Sequence, residues 1–138
     1  MSDVTISEEA GKSQDTAVIV SRLVSHPVKS VWCALLTVDA AETLLGPGAR
    51  LGDKGHTWTS DDGRSGVIRS YHPEEQLRFS WRSRDDLPPS YVDLRLIPEG
   101  ENQTRIQIMH TDLRPEVDRE LLRQHWEQAL ETIDRESL

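Results

Sequence analysis

The sequence predicts an α+β domain in which a curved antiparallel sheet wraps one long C-terminal helix, with two short helices after the first strand. Three observations carry this expectation. Gln76–Ser83, Tyr91–Ile97 and Thr104–His110 alternate apolar and polar residues with a period of two, so each has one buried and one wet face. Between Pro115 and Asp134, the side chains of Leu122, Trp126, Ala129 and Ile133 fall within about 60° of one another at helical spacing, a core-facing stripe. No other helical segment is long enough to cover the apolar side of the sheet, so this helix and the sheet must meet.

The elements follow in order. Residues 1–16 lack periodicity and are rich in Ser, Asp, Glu and Gly, which predicts a disordered leader ahead of a single domain over 17–138. Ala17–Val24 is dense in β-branched residues and reads as the first strand. His26-Pro27 breaks it, and Pro27 suits the first turn of a helix because its missing N–H would have no partner there. Val28, Val31, Trp32, Leu35 and Leu36 continue at helical spacing to Thr37. Asp39 is placed to cap a second helix, Ala40–Leu45, which Gly46-Pro47-Gly48 ends. His56–Ser60 and Ser65–Tyr71 read as a hairpin turning at Asp61-Asp62-Gly63. The three alternating strands come next, with Leu77, Phe79 and Trp81, then Val92, Leu94 and Leu96, then Ile106, Ile108 and His110 on their apolar faces. In the last helix Leu121 and His125 sit on the shoulder of the stripe, and Glu116, Arg119, Glu120, Arg123, Glu127 and Glu131 lie opposite.

Composition removes several function classes. At 138 residues, 36% hydrophobic and 29% charged, the chain fits one globular domain with its own core. One cysteine excludes an internal disulfide and a multi-cysteine zinc site. No stretch approaches the roughly 18 apolar residues of a membrane helix, and the polar, acidic first residues do not read as a secretory signal, so the expected compartment is the cytoplasm. A net charge of −8 is repelled by phosphate backbones, so neither nucleic acid nor membrane insertion is expected. Neither G-x-G-x-x-G nor G-x-x-x-x-G-K-[ST] nor G-x-S-x-G occurs, and no two of the five histidines are three or four residues apart. No cofactor, metal site or catalytic residue is therefore assigned.

Four segments carry a resemblance. Val24–Trp32 gives an apolar strand end, a proline and an amphipathic helix; Gly66-Val67-Ile68 is followed by Pro73, Leu77 and Phe79-Ser80-Trp81; Thr104–His110 reads T-x-apolar-x-apolar-x-H; and Trp126, Leu130 and Ile133 punctuate the last helix. In this order they resemble START-like, SRPBCC-type domains, in the branch of homologues of the activator of the heat-shock-protein-90 ATPase, over about Asp15–Ile133. The resemblance implies the helix-grip fold with a hydrophobic cavity between helix and sheet. It departs at His125, where the family commonly has glycine.

On this frame the candidate cavity residues are Trp32, Trp58, Tyr71, Phe79, Trp81, Leu94, Ile108, His110, Leu122, His125 and Trp126. Four tryptophans against one phenylalanine could wall a cavity or fill it. Trp81 and Trp126 lie on core faces, where packing is favoured, while Trp58, in a short strand between glycine-rich turns, is the better candidate for a pocket rim. His110 and His125 either orient a polar ligand group inside one cavity or are core-edge histidines satisfied by backbone or water. His26 and His72, each before a proline, read as surface turn residues, and Cys33 as a buried, inert thiol. The face of Arg69 is open, since Tyr71 argues for one register and Ile68 for the other. The leading expectation is a binding module for a small hydrophobic or aromatic ligand. The alternatives are a chaperone-associated interaction protein and a cyclase- or hydrolase-like enzyme of the same fold.

Overall fold

A computed structural model describes residues 17–84 and 86–138; the leader expected over 1–16 lies outside the described residues. Six strands, β1 (Val18–Val24), β2 (Thr57–Thr59), β3 (Ser65–His72), β4 (Gln76–Trp81), β5 (Ser90–Pro98) and β6 (Thr104–Thr111), form one antiparallel sheet in the order β1-β6-β5-β4-β3-β2. Helices α1 (Val28–Leu35) and α2 (Val38–Leu45) follow β1, and α3 (Arg119–Glu136) closes the chain. This is the helix-grip arrangement. Among the described residues no helix is long and apolar enough to cross a membrane.

The register explains why one face of the sheet is dry. Val20, Ile108, Leu94 and Leu77 stand side by side across β1, β6, β5 and β4. The next row is Val18, His110, Val92, Phe79 and Ile68. Against these rows α3 lays Trp126, Ala129, Leu130 and Ile133, all buried. It packs on β1 and α2, and an Arg22–Asp134 ion pair of 2.8 Å ties it to the edge strand.

Helix ends depart from expectation by small steps, each with a local cause. Pro27 is the cap of α1 rather than its first helical residue, with ψ of 155°. Thr37, not Asp39, caps α2: its hydroxyl accepts from the Ala40 N–H at 3.3 Å, and Asp39 falls in the first turn. The last helix starts at Arg119, later than its periodicity suggests. Asp118 stops it there by accepting from the N–H groups of Glu120 and Leu121 at 3.0 and 3.1 Å, two of the donors a helix start leaves unpaired.

Two irregularities set the shape of the sheet. A register shift in β3 pairs Ile68 with Phe79 but Ser70 with Arg78, leaving Arg69 as the extra residue of a bulge. The bulge lets Ile68 and Tyr71 both face inward and puts Arg69 in solvent, so each of the two conflicting register signals holds on its own side. Near the start of β3, Gly66 faces Trp58 across the β2–β3 pair and lies against the carbonyl of Ser80. A Cβ on Gly66 would fall 1.8 Å from the Ser80 carbonyl oxygen and 2.6 Å from the Trp58 indole nitrogen.

Replacing Gly66 with Ala therefore forces backbone apart rather than displacing a flexible side-chain tip. The expected loss is about 3 kcal/mol, read as a lowered urea midpoint. A variant with unchanged midpoint would show that the strand crossing is looser than described.

Candidate functional site

The sheet ends beside the first half of α3 in an open cleft of about 460 Å³. Three parts of the chain meet there. The β2–β3 turn contributes Asp62 and Arg64, the end of β4 contributes Trp81 and Ser83, and the start of α3 contributes Val117, Asp118, Leu121, Leu122 and His125. A smaller recess of about 50 Å³ shares Trp81, Ser83, Val117 and Leu122 with it and runs inward past Leu87 and Leu113 to Ser90. The walls are mainly apolar. Leu121, at 63% exposure, is the most exposed large hydrophobic residue among those described.

Trp81 organises the cleft. The Arg64 guanidinium lies 5.9 Å from its ring centre, and His110 meets it edge-on with ring centres 5.2 Å apart. Asp62 holds Arg64 through its Nε at 3.0 Å, and the hydrogen bond from Arg64 keeps the Asp62 carboxyl below its ordinary range. The indole N–H of Trp81 is buried without a hydrogen-bond partner, and so is Nε2 of His125. A buried polar atom left unpaired costs about 1–3 kcal/mol, so two such atoms on side chains lining one cleft need an explanation. Burial, and then the Arg64 charge, push the His125 pKa down, so this imidazole is neutral at physiological pH.

Behind the cleft His110 is fully buried and fully satisfied. The Trp126 indole N–H donates to its Nδ1 at 3.1 Å, and its Nε2 lies 2.6 Å from the Ser90 hydroxyl. Ser90 in turn donates to the Trp81 carbonyl at 3.0 Å. One direction satisfies every group: His110 is neutral with its proton on Nε2, and Ser90 accepts that proton's hydrogen bond. Burial, then the neighbouring His125, lower the His110 pKa to about 3.

The structure divides the expected cavity residues other than Trp58 into three groups. Trp81, Leu122 and His125 line the cleft. Phe79, Leu94, Ile108, His110 and Trp126 are packed between helix and sheet with no exposed surface. Trp32 and Tyr71 meet elsewhere, edge to face at 5.4 Å. Trp58 is not on a rim: it is 1% exposed and stacks edge-on against Phe79 at 6.1 Å, because Gly66 opposite leaves room for the indole. Cys33 is likewise corrected, since it faces solvent on α1 while Val31, Trp32, Ala34 and Leu35 are buried. His125 and His110 do not share a cavity; His110 is sealed in packing and His125 borders the cleft. Sequence reasoning did not place Arg64, Asp62, Ser83 and Val117 at a site. Leu121 and His125, on the shoulder of the helical stripe, were the available signal, because a shoulder is where a helix leaves the sheet. Among the described residues no three His, Cys, Asp or Glu side chains gather as metal ligands would.

Comparison with known proteins gives consistent likenesses. The family model described as Activator of Hsp90 ATPase homolog 1-like protein matches residues 24–136. No curated protein matches the sequence. Among solved structures, CalU16 from Micromonospora echinospora is 26% identical with a TM-score of 0.69, the match covering 86% of this chain and 71% of that one. An Aha1 dimer from Colwellia psychrerythraea is 15% identical with a TM-score of 0.72, covering 88% and 95%. PFC0360w, an HSP90 activator from Plasmodium falciparum, is 16% identical with a TM-score of 0.72, covering 87% and 94%. At such low identity the last two show the shared fold.

The buried neutral His110 makes stability depend on pH. Its folded pKa lies below the unfolded value of 6.5, so the unfolded chain binds more protons between about pH 6.5 and pH 3 and stability falls as pH falls through that window. Unfolding by urea should lose about 2 kcal/mol between pH 6.5 and pH 5 from this group alone. In His110→Gln the loss over this window should shrink even though the variant is less stable at pH 7. Equal slopes for the two proteins would contradict the buried, neutral assignment.

Proposed function

The chain belongs to the family of Activator of Hsp90 ATPase homolog 1-like proteins, and on that premise we propose that it is a binding module that holds a small apolar or aromatic molecule in the cleft beside the first half of α3. The observation that carries this reading is the cleft itself, with apolar walls from Trp81, Val117, Leu121 and Leu122 and with Asp62, Arg64, Asp118 and His125 around them. An apolar molecule entering it gains roughly 25 cal/mol for each Å² removed from water, and the few polar groups set its orientation. The indole of Trp81 offers a flat aromatic surface for stacking. Packing supports the cleft rather than the middle of the grip as the binding place, since Trp126, Phe79, Leu94 and Ile108 occupy the space between helix and sheet.

A second reading rests on the family: an interaction protein that works with a chaperone. It places function on the outer surface and is indifferent to the cleft. The two readings part on one variant. Leu121→Glu puts a charge into the apolar wall at a position exposed enough that stability should stay within about 0.5 kcal/mol.

In a thermal-shift screen of hydrophobic metabolites, lipids and polyaromatic compounds, a ligand should raise Tm saturably and quench tryptophan fluorescence. Leu121→Glu should weaken that ligand about tenfold with the unliganded Tm unchanged. Hits that bind Leu121→Glu as well as the unaltered protein would move the site elsewhere. Chaperone capture by both proteins, without any hit, would favour the second reading.

A further inference from the structure

β1 lies at one edge of the sheet, and the hydrogen-bond alternation fixes what that edge presents. Just beyond the β5–β6 pairs, the Glu99 N–H donates to the Gln103 carbonyl at 3.0 Å. Antiparallel pairs alternate between bonded and unbonded, so Ile97–Arg105, Arg95–Gln107, Asp93–Met109 and Tyr91–Thr111 are the bonded pairs of β5 and β6. β6 then turns the backbone of Thr104, Ile106, Ile108 and His110 toward β1, where Val24, Arg22, Val20 and Val18 meet it. The N–H and C=O groups of Ile19, Ser21 and Leu23 therefore point away from the sheet, and among the described residues no backbone group outside the sheet bonds to them. Edges of this kind are ordinarily blunted by proline, lysine, a bulge or brevity. β1 has none of these: it runs VIVSRLV in unbroken register with β6 over seven residues. The opposite edge strand, β2, is only three residues long. The one charge on β1, Arg22, is neutralised by Asp134 on α3. On the outer face Ile19 and Leu23 are 52% and 42% exposed.

We propose that β1 is an interface for a second copy of this chain, pairing antiparallel with its counterpart about a two-fold axis through Ser21 and joining two six-stranded sheets into one. The edge is self-complementary in that register. Ser21 pairs with its own copy, Ile19 pairs with Leu23 of the second copy, and every free N–H and C=O of the three residues finds a partner. The two exposed apolar side chains then meet in both halves of the seam, as a cross-strand pair does within a sheet. A shift of two residues either way sets Ile19 against a serine instead, Ser21 or Ser25. Charge points to the same face: each copy carries −8, yet Ala17–Val24 contains no Asp or Glu, so the strand is a place where two copies approach without opposing carboxylates. A contact one strand wide falls short of the ~1,200 Å² of stable complexes, so the dimer is weak and depends on concentration. The cleft stays open in it, because the cleft borders the first half of α3 whereas Asp134, near the other end of that helix, is what stands beside β1. The seam is therefore independent of any ligand.

Sedimentation velocity of the full chain between about 10 µM and about 1 mM should show a reversible monomer–dimer equilibrium, with a dissociation constant on the order of 100 µM. Amide hydrogen exchange read by NMR locates the seam. The N–H groups of Ile19, Ser21 and Leu23 should exchange freely at the dilute end and slow as the dimer fills, while those of Val20 and Arg22 stay protected throughout. Ser21→Pro removes a donor from the open edge and no bond to β6, a place where a strand tolerates proline. It should weaken association by about tenfold or more with Tm nearly unchanged. Leu23→Lys replaces the apolar contact at an exposed position and should weaken association as well; it decides the matter if Ser21→Pro fails to fold. A chain that remains monomeric over the whole range overturns the proposal. So does a dimer that survives both substitutions, which would use another face. Protection of Ile19, Ser21 and Leu23 already in the dilute monomer overturns it too, and assigns the edge to another segment of the same chain.

Discussion

The grip between helix and sheet depends on a buried line of hydrogen bonds from Trp126 through His110 and Ser90 to the carbonyl of Trp81. Hydrophobic contact alone would let α3 slide or rotate on a surface of similar aliphatic side chains, because apolar attraction has no direction. A line of donors and acceptors has direction and works in one register. It couples α3 to β6, β6 to β5, and β5 to the end of β4, where the cleft begins. A buried polar chain with every member satisfied specifies a unique arrangement, whereas one missing member leaves the others unpaired. The histidine that reads from sequence as a potential acid or base is thus held neutral, between two partners, as part of the frame.

Much of the fold was legible in the chain. The period-two alternation of β4, β5 and β6 and the stripe of α3 report burial directly, and the register confirms that Ile108, Leu94 and Leu77 share a row. Helix starts were less legible, since Thr37 rather than Asp39 caps α2 and the last helix begins after Asp118 rather than near Pro115. Arg69 carried a real contradiction between Ile68 and Tyr71. A strand without a bulge must give up one of them, and a bulge is invisible to a count of alternating residues.

The site was only half legible, and the reason is curvature. Trp58 and Trp81 exchange the roles that the sequence suggested. Trp58 is drawn into the core because Gly66 opposite it has no side chain, while Trp81, on a face that reads as core, comes at the end of β4 where the sheet runs out beneath α3. Alternation tells which face a residue is on, not whether anything covers that face at that point. Arg64 and Asp62 join the cleft from a hairpin some twenty residues earlier in the chain, a neighbourhood set by tertiary structure alone.

The bulge at Arg69 also separates the two halves of β3 in phase. Upstream, Gly66 and Ile68 are keyed to Trp58 in the hairpin and to Phe79; downstream, Tyr71 is keyed to Leu77 and to Trp32 on α1. Because an extra residue is absorbed between them, the two halves do not share one alternation, and Ile68 and Tyr71 both turn inward although they are three residues apart. The strand is in effect two modules joined by a slack coupling.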